Sequence, residues 1–174
     1  QQREQQQAWS DQLEHLARER SAGPSSLNGL GGADVLLFIV ESYGSVVFSQ
    51  SHHRQTMAST MDKLGRTLAQ HGFEAVSSSL LSPTYGGASW LAHATLEFGV
   101  RVENTLEETA LLRSSLQPMA ALFRRNGYRT VSVMPGTRFA FPQGTAFGYE
   151  QAYYAWHFGY RGRTFGWAPM PDQF

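Results

Sequence analysis

A chain of 174 residues, 41% apolar and only 16% charged, carries enough material for one compact domain with a sizeable core, and that composition excludes wholesale disorder. Fourteen basic residues balance fourteen acidic ones and no lysine-rich or arginine-rich block is present, which argues against nucleic acid as a partner. The lack of cysteine removes disulfides, thiolate metal sites and a cysteine nucleophile, and the longest apolar run, Val35 to Val40, is too short to cross a bilayer.

In chain order, Trp9, Leu13, Leu16 and Ala17 recur at helical spacing within an otherwise Gln-, Glu- and Arg-rich segment, which predicts a short amphipathic helix with one narrow apolar stripe. Gly-Pro, Ser-Ser, Asn-Gly and Gly-Gly steps between Ser21 and Gly32 then read as a linker. Residues 1–32 are accordingly expected to be a polar helix with a Gly/Ser-rich linker, and residues 33–174 the globular part. The run Val-Leu-Leu-Phe-Ile-Val ending at Glu41-Ser42-Tyr43-Gly44 predicts a strand buried on both faces. Met57, Met61, Leu64 and Leu68 predict a helix closed by Gly72, and Phe73 to Leu81 can supply a second strand. Ser82 to Gly87 reads as a loop. Trp90, Ala94 and Phe98, four apart, predict a helix closed by Gly99.

Thr105-x-x-Glu108 has the form of a capping box, Pro118 suits the first turn of another helix running to Asn126-Gly127, and Tyr128 to Met134 returns to a strand pattern. Strands alternating with helices predict an α/β fold with a parallel sheet and ligands beyond the carboxyl ends of its strands. The last forty residues, dense in Gly and aromatics, read as loops over that edge.

Two places along this frame can carry chemistry. Glu41, ending an apolar strand, offers a hard oxygen ligand to a divalent cation, although a carboxylate there would serve equally to cap a helix or pair with an arginine. Gly86-Gly87-Ala88-Ser89 opens a helix: two glycines admit close approach of a ligand, and a hydroxyl among free amides favours an anion. Serine is also a preferred N-cap for purely structural reasons. His93, one turn after Ser89, can act as acid, base or phosphate donor, or simply pack. Arg138, His157, Arg161 and Arg163 lie among the C-terminal aromatics, where they can hold phosphate oxygens, stack on a sugar, or occupy the surface. His52-His53 reads as a loop pair, since neighbours point apart on any regular structure.

Asp34-Val-Leu-Leu-Phe-Ile-Val-Glu41-Ser-Tyr-Gly44 and Ser82-Pro-Thr-Tyr-Gly-Gly-Ala-Ser89, followed by Trp90 to Gly99, together resemble the alkaline phosphatase and sulfatase superfamily. The similarity is to its membrane-anchored branch of lipoteichoic acid synthases, phosphoglycerol transferases and phosphoethanolamine transferases. The resemblance implies a parallel-sheet α/β/α sandwich of alkaline phosphatase type, truncated at the C-terminus. By the same resemblance Glu41 takes the place of the metal-binding acid and Ser89 that of the nucleophile, itself a metal ligand. Thr84 is the runner-up nucleophile, because that branch mostly uses threonine. Gly86, Gly87, His93, Arg138, His157 and Arg161 would then bind the anion or substrate, and the divalent metal would be Mn, Zn or Mg.

The activity implied is a metal-dependent hydrolase or transferase acting on phosphate esters or phosphodiesters of a phosphorylated lipid or glycan, through a covalent serine intermediate. Its implied place is the periplasmic face of a bacterial inner membrane, held there by a segment outside this chain. Two departures qualify it. Pro83 directly follows Ser82 with no arginine in the sulfatase position, which turns the reading from sulfate toward phosphorus. No Asp-His pair occurs anywhere, although relatives complete their metal site with one. We therefore expect a C-terminal portion to complete both sheet and site, with these 174 residues inactive by themselves. The alternatives are a non-catalytic module of the same descent that binds an anionic glycolipid or a protein, and a sulfatase or phosphatase that uses water as acceptor.

Overall fold

The computed structural model describes residues 2–23, 25–40, 44–140, 142–164, 166, 168–171 and 174. In chain order they form α1 (Gln2–Ala22), the single turn α2 (Val46–Ser49), α3 (Ser51–Gln70), α4 (Ser89–Phe98), α5 (Thr105–Arg113), α6 (Met119–Arg125), β1 (Val131–Met134), α7 (Pro142–Ala146) and β2 (Gln151–Tyr154). The architecture is mixed and helix-rich. Its sheet, among the described residues, is one parallel pair, β1 and β2, in register Val131↔Gln151 to Met134↔Tyr154. None of the described helices is long and apolar enough to cross a membrane.

The chain divides into two compact units, Gln1–Ala33 with Ser82–Phe174, and Asp34–Leu81. In the larger unit the apolar stripe of α1 is real and is used. Leu13 and Ala17 are buried with Leu91, Ala94 and Phe98 of α4, Leu111 of α5, Val102, Leu116 and Phe147, while Trp9 and Leu16 pack at the margin. Each fully buried leucine stabilises the fold by roughly 2 kcal/mol through the apolar area removed from water. Phe98 and Phe147 meet edge to face at 6.0 Å, the arrangement that ring quadrupoles favour. The helix that the sequence sets ahead of the globular part thus belongs to its core.

Polar bonds fasten the same helix. The Trp9 indole donates to the Glu107 carbonyl, and the Glu14 carboxylate accepts from the Ser115 amide at 3.0 Å and its hydroxyl at 2.6 Å. Arg20 donates to the last carbonyls of α4, Phe98 and Gly99, placing a cation at the negative end of that helix. The linker is tied as well: Asn126 accepts from the Leu27 amide and donates to the Ser25 carbonyl. Gly99, at φ 60, ends α4 in the left-handed conformation that suits glycine.

The cap of α5 lies one residue earlier than the sequence suggests. Asn104 accepts from the Leu106 and Glu107 amides, and the Glu107 carboxylate accepts from Asn104 Nδ2 and from the amide of Glu103 before it, so Asn104 is the N-cap. Both Asn104 and Thr105 are competent caps; the extended backbone of Asn104 decides between them. Pro118 is the N-cap of α6 rather than a residue of its first turn. The strand expected at Tyr128 to Met134 is present as β1. Its partner β2 and the turn α7 occupy the C-terminal stretch that reads as loops.

In the smaller unit, α3 covers the predicted helix and begins earlier, so that His52 and His53 are helical rather than in a loop, with ring centroids 3.7 Å apart. The two strands expected to flank it are not formed. Val35 to Val40 and Phe73 to Leu81 join no ladder and are exposed, Phe38 at 79% and Val76 fully. An apolar run specifies a preference for burial, whereas a strand also needs a neighbour on each side to take its backbone bonds, and none is supplied among the described residues.

Candidate functional site

The head of α4 is where sequence-predicted chemistry and unusual backbone coincide. Gly86, Gly87 and Ala88 have φ of 69°, 139° and 53° in succession, and Ser89 then opens the helix. Glycine adopts such values freely. Alanine does not: its Cβ crowds the backbone there at a cost of about 1 kcal/mol or more. Ala88 is the non-glycine residue with positive φ among the described residues, and it is the N-cap of α4 with no side chain to satisfy the helix amides. Leu91 N bonds to the Ala88 carbonyl, so the first amides to complete an intrahelical bond start there, and those of Ser89 and Trp90 belong to the open end. The hydroxyl of half-buried Ser89 therefore stands beside amides that take no bond among the described residues and at the positive end of the helix dipole.

The loop before it is braced. Ser82 Oγ accepts from Thr84 N at 3.2 Å and lies 3.4 Å from Thr84 Oγ1, while Arg101 Nη2 donates to the Ser82 carbonyl and pairs through Nε with Glu103 at 2.6 Å. Thr84 is half-buried and engaged in this turn. Gly86 and Gly87 have open space where a Cβ would sit, so their need for glycine is conformational rather than steric. His93 shares the helix face of Ser89 at i+4 and is half-buried.

A second group gathers at the carboxyl edge of the β1–β2 pair. Arg138 lies four residues beyond β1 and His157 three beyond β2, and the Ala155 amide bonds to the Thr137 carbonyl, stitching the two loops together. His157 Nδ1 accepts from the Tyr154 amide at 2.9 Å, which in the neutral ring leaves the proton on Nε2. Trp156 stacks on Tyr154 at 4.7 Å. Arg138, Arg161 and Arg163 are exposed. The sequence therefore names two constellations, Gly86–Ser89 with His93 and Arg138 with His157, and no hydrogen bond joins them among the described residues. Glu41 lies outside the described residues.

Among those residues no group of three or more His, Asp or Glu converges as a metal site would require. An open groove of about 930 Å³ lies between α1 and α5, lined by Trp9, Glu14, Glu107 and Arg113 among others, and none of the described candidate residues reaches it. Sequence reasoning missed Ala88, because only glycine advertises a left-handed residue, and it missed the pairing of buried Glu97 with half-buried Tyr149, 52 residues apart. Tyr149 donates its hydroxyl to Glu97 Oε1 on α4, and Glu97 is only 5% exposed. Burial pushes the Glu97 carboxyl above the usual range, against the hydrogen bond from Tyr149; burial and the same contact raise the Tyr149 phenol.

No known protein family, characterised protein or solved structure matches this chain.

Proposed function

We propose that this chain carries the nucleophile-bearing part of a metal-dependent hydrolase or transferase that acts on phosphate esters or phosphodiesters, with a phosphorylated lipid or glycan as substrate. The observation that carries the reading is the backbone before Ser89: three successive positive φ values, one of them strained, present a hydroxyl and open helix amides together. Strain of this kind persists only where the surrounding fold holds it, and it gathers at sites that bind or react.

In the proposed step Ser89 Oγ bonds to phosphorus as the leaving alcohol's oxygen departs, giving a seryl phosphoester; an acceptor hydroxyl or water then breaks that ester and restores the serine. The hydroxyl proton passes to a base, for which His93, on the same helix face, is the described candidate, and the departing oxygen takes up a proton. Open amides at the start of α4 and the Gly86–Gly87 backbone offset charge developing on the phosphoryl oxygens. Arg138, His157 and Arg161 would hold the remote part of the substrate. The divalent cation, Mn, Zn or Mg, would be held by Glu41 and the Ser89 oxygen, both hard donors, and would act as a Lewis acid. The alkaline phosphatase type of α/β/α sandwich and a periplasmic, membrane-anchored setting belong to the same proposal.

Turnover of a generic phosphodiester by the full-length protein with manganese or zinc tests it. Ser89→Ala is expected to lower kcat by about a thousand-fold or more, as loss of a covalent nucleophile does elsewhere. Full activity in Ser89→Ala would sink the assignment, and loss of activity in Thr84→Ala alone would transfer it to Thr84.

A further inference from the structure

Glu97 is a carboxylic acid in a place that does not suit a charge. It is 5% exposed, it faces the interior from the last turn of α4 beside Phe98, and its Oε2 makes no hydrogen bond among the described residues. Its other oxygen accepts from the Tyr149 hydroxyl. That hydrogen bond joins α4 to the short segment that leads into β2, beside the packing of Phe98 on Phe147, and the segment is held from its other flanks by separate contacts. Arg124 of α6 donates to the Gly148 carbonyl at 3.1 Å. The Glu150 amide bonds to Thr130 O, and the Glu150 carboxylate accepts from Thr130 N.

We propose that Glu97 and Tyr149 form a proton-controlled latch, in which the neutral carboxyl lets the Phe147–Glu150 segment seat dry on α4, and loss of its proton loosens that seat by drawing water to the buried charge, a cost that outweighs the stronger bond an anion accepts from Tyr149. The cause is the imbalance at the carboxyl. An ionised group needs both oxygens satisfied; here Oε1 accepts from Tyr149, while the Ala120 amide, close enough to favour the anion, makes no hydrogen bond of ordinary geometry to the buried Oε2. The groups that act on Glu97 come from three sides. His93, on its own helix, attracts the ionised form; the Ala120 amide at the start of α6 does the same; Tyr149 donates to it. Burial outweighs all three, so the folded-state pKa lies above the unfolded value.

The sign follows from linkage. A carboxyl with a raised folded pKa contributes stability that is complete below the unfolded pKa and is lost as pH rises through the folded one. Across about pH 4 to 8, a range that spans ordinary carboxylates and beyond, the wild-type chain is expected to lose melting temperature relative to Glu97→Gln as pH rises. Amide exchange at Glu150 and Gln151 is expected to accelerate over the same range by more than the intrinsic base-catalysed increase, an excess absent in Glu97→Gln. A difference between the two chains that is constant with pH, or that moves the other way, would overturn the latch. Infrared spectra of the wild type keep the idea testable even where Glu97→Gln does not fold. The stretch of a neutral, buried carboxyl should persist where exposed carboxyls have ionised, and in Tyr149→Phe it should persist to still higher pH, because a donor that favours the anion is gone. Absence of that band at mildly acidic pH would equally contradict the proposal.

Discussion

Two segments of very different apolar content meet fates opposite to what that content alone would suggest. The narrow stripe of α1, drawn from a helix otherwise full of Gln, Glu and Arg, places Leu13 wholly out of water, while the far more apolar run Val35 to Val40 stays exposed along its length. The difference lies in what each segment needs from its surroundings. A helix satisfies its own backbone and asks only for a matching surface, which α5 and α4 provide. A strand must borrow its hydrogen bonds from neighbours, and apolar character does not supply them.

The largest effect that would sharpen this contrast is expected in the core. Leu111→Ala or Leu13→Ala should destabilise the larger unit by about 2–5 kcal/mol, read from denaturant unfolding, because each empties a fully buried site. Phe38→Ser should change that unfolding by less than about 0.5 kcal/mol, as an exposed position does, while improving solubility. A loss as large as that of Leu111→Ala would mean that Phe38 is buried in the folded molecule and break the comparison. Next in size, Asn104→Ala should cost about 1 kcal/mol, since the side chain satisfies two amides at the start of α5; Thr105→Ala should cost less. Ala88→Gly should stabilise by up to about 1 kcal/mol through relief of its left-handed backbone.

The smallest effect concerns Glu14, whose bonds to the Ser115 hydroxyl and amide hold its carboxyl below the usual range. A depressed folded pKa gives stability that is present above the unfolded value and lost as pH falls through the folded one. Glu14→Gln should therefore blunt the acid limb of a stability profile, the mirror image of the behaviour expected of Glu97. A titration in which both substitutions act on the same limb would contradict the assignment of their environments.

What could be read from the residues alone follows the same division between local and distant causes. The stripe of α1, the helical spacing of apolar residues in α3 and α4 and the closing glycines at positions 72 and 99 are local signals, and the elements they announce are present. The cap of α5 moved by one residue because Asn104 and Thr105 are both good caps and only backbone geometry separates them. Gln151 to Tyr154 gave no strand signal: four residues without alternation take their identity from pairing with Val131 to Met134. At the candidate site, the glycines and Ser89 were legible because composition announces a tight approach to a helix start. The left-handed Ala88 was hidden behind an ordinary residue, and the Glu97–Tyr149 pair was hidden by distance along the chain.

On the proposed reading, the Oγ of Ser89, set at the open end of α4 by a strained turn, is the atom that meets phosphorus. The most direct test of that reading is peptide mass spectrometry of the full-length protein quenched during turnover of a phosphodiester with manganese or zinc. A phosphoryl-ester adduct is expected on the peptide that contains Ser89, absent from Ser89→Ala. Turnover with no adduct on that serine, or with the adduct on Thr84, would contradict it.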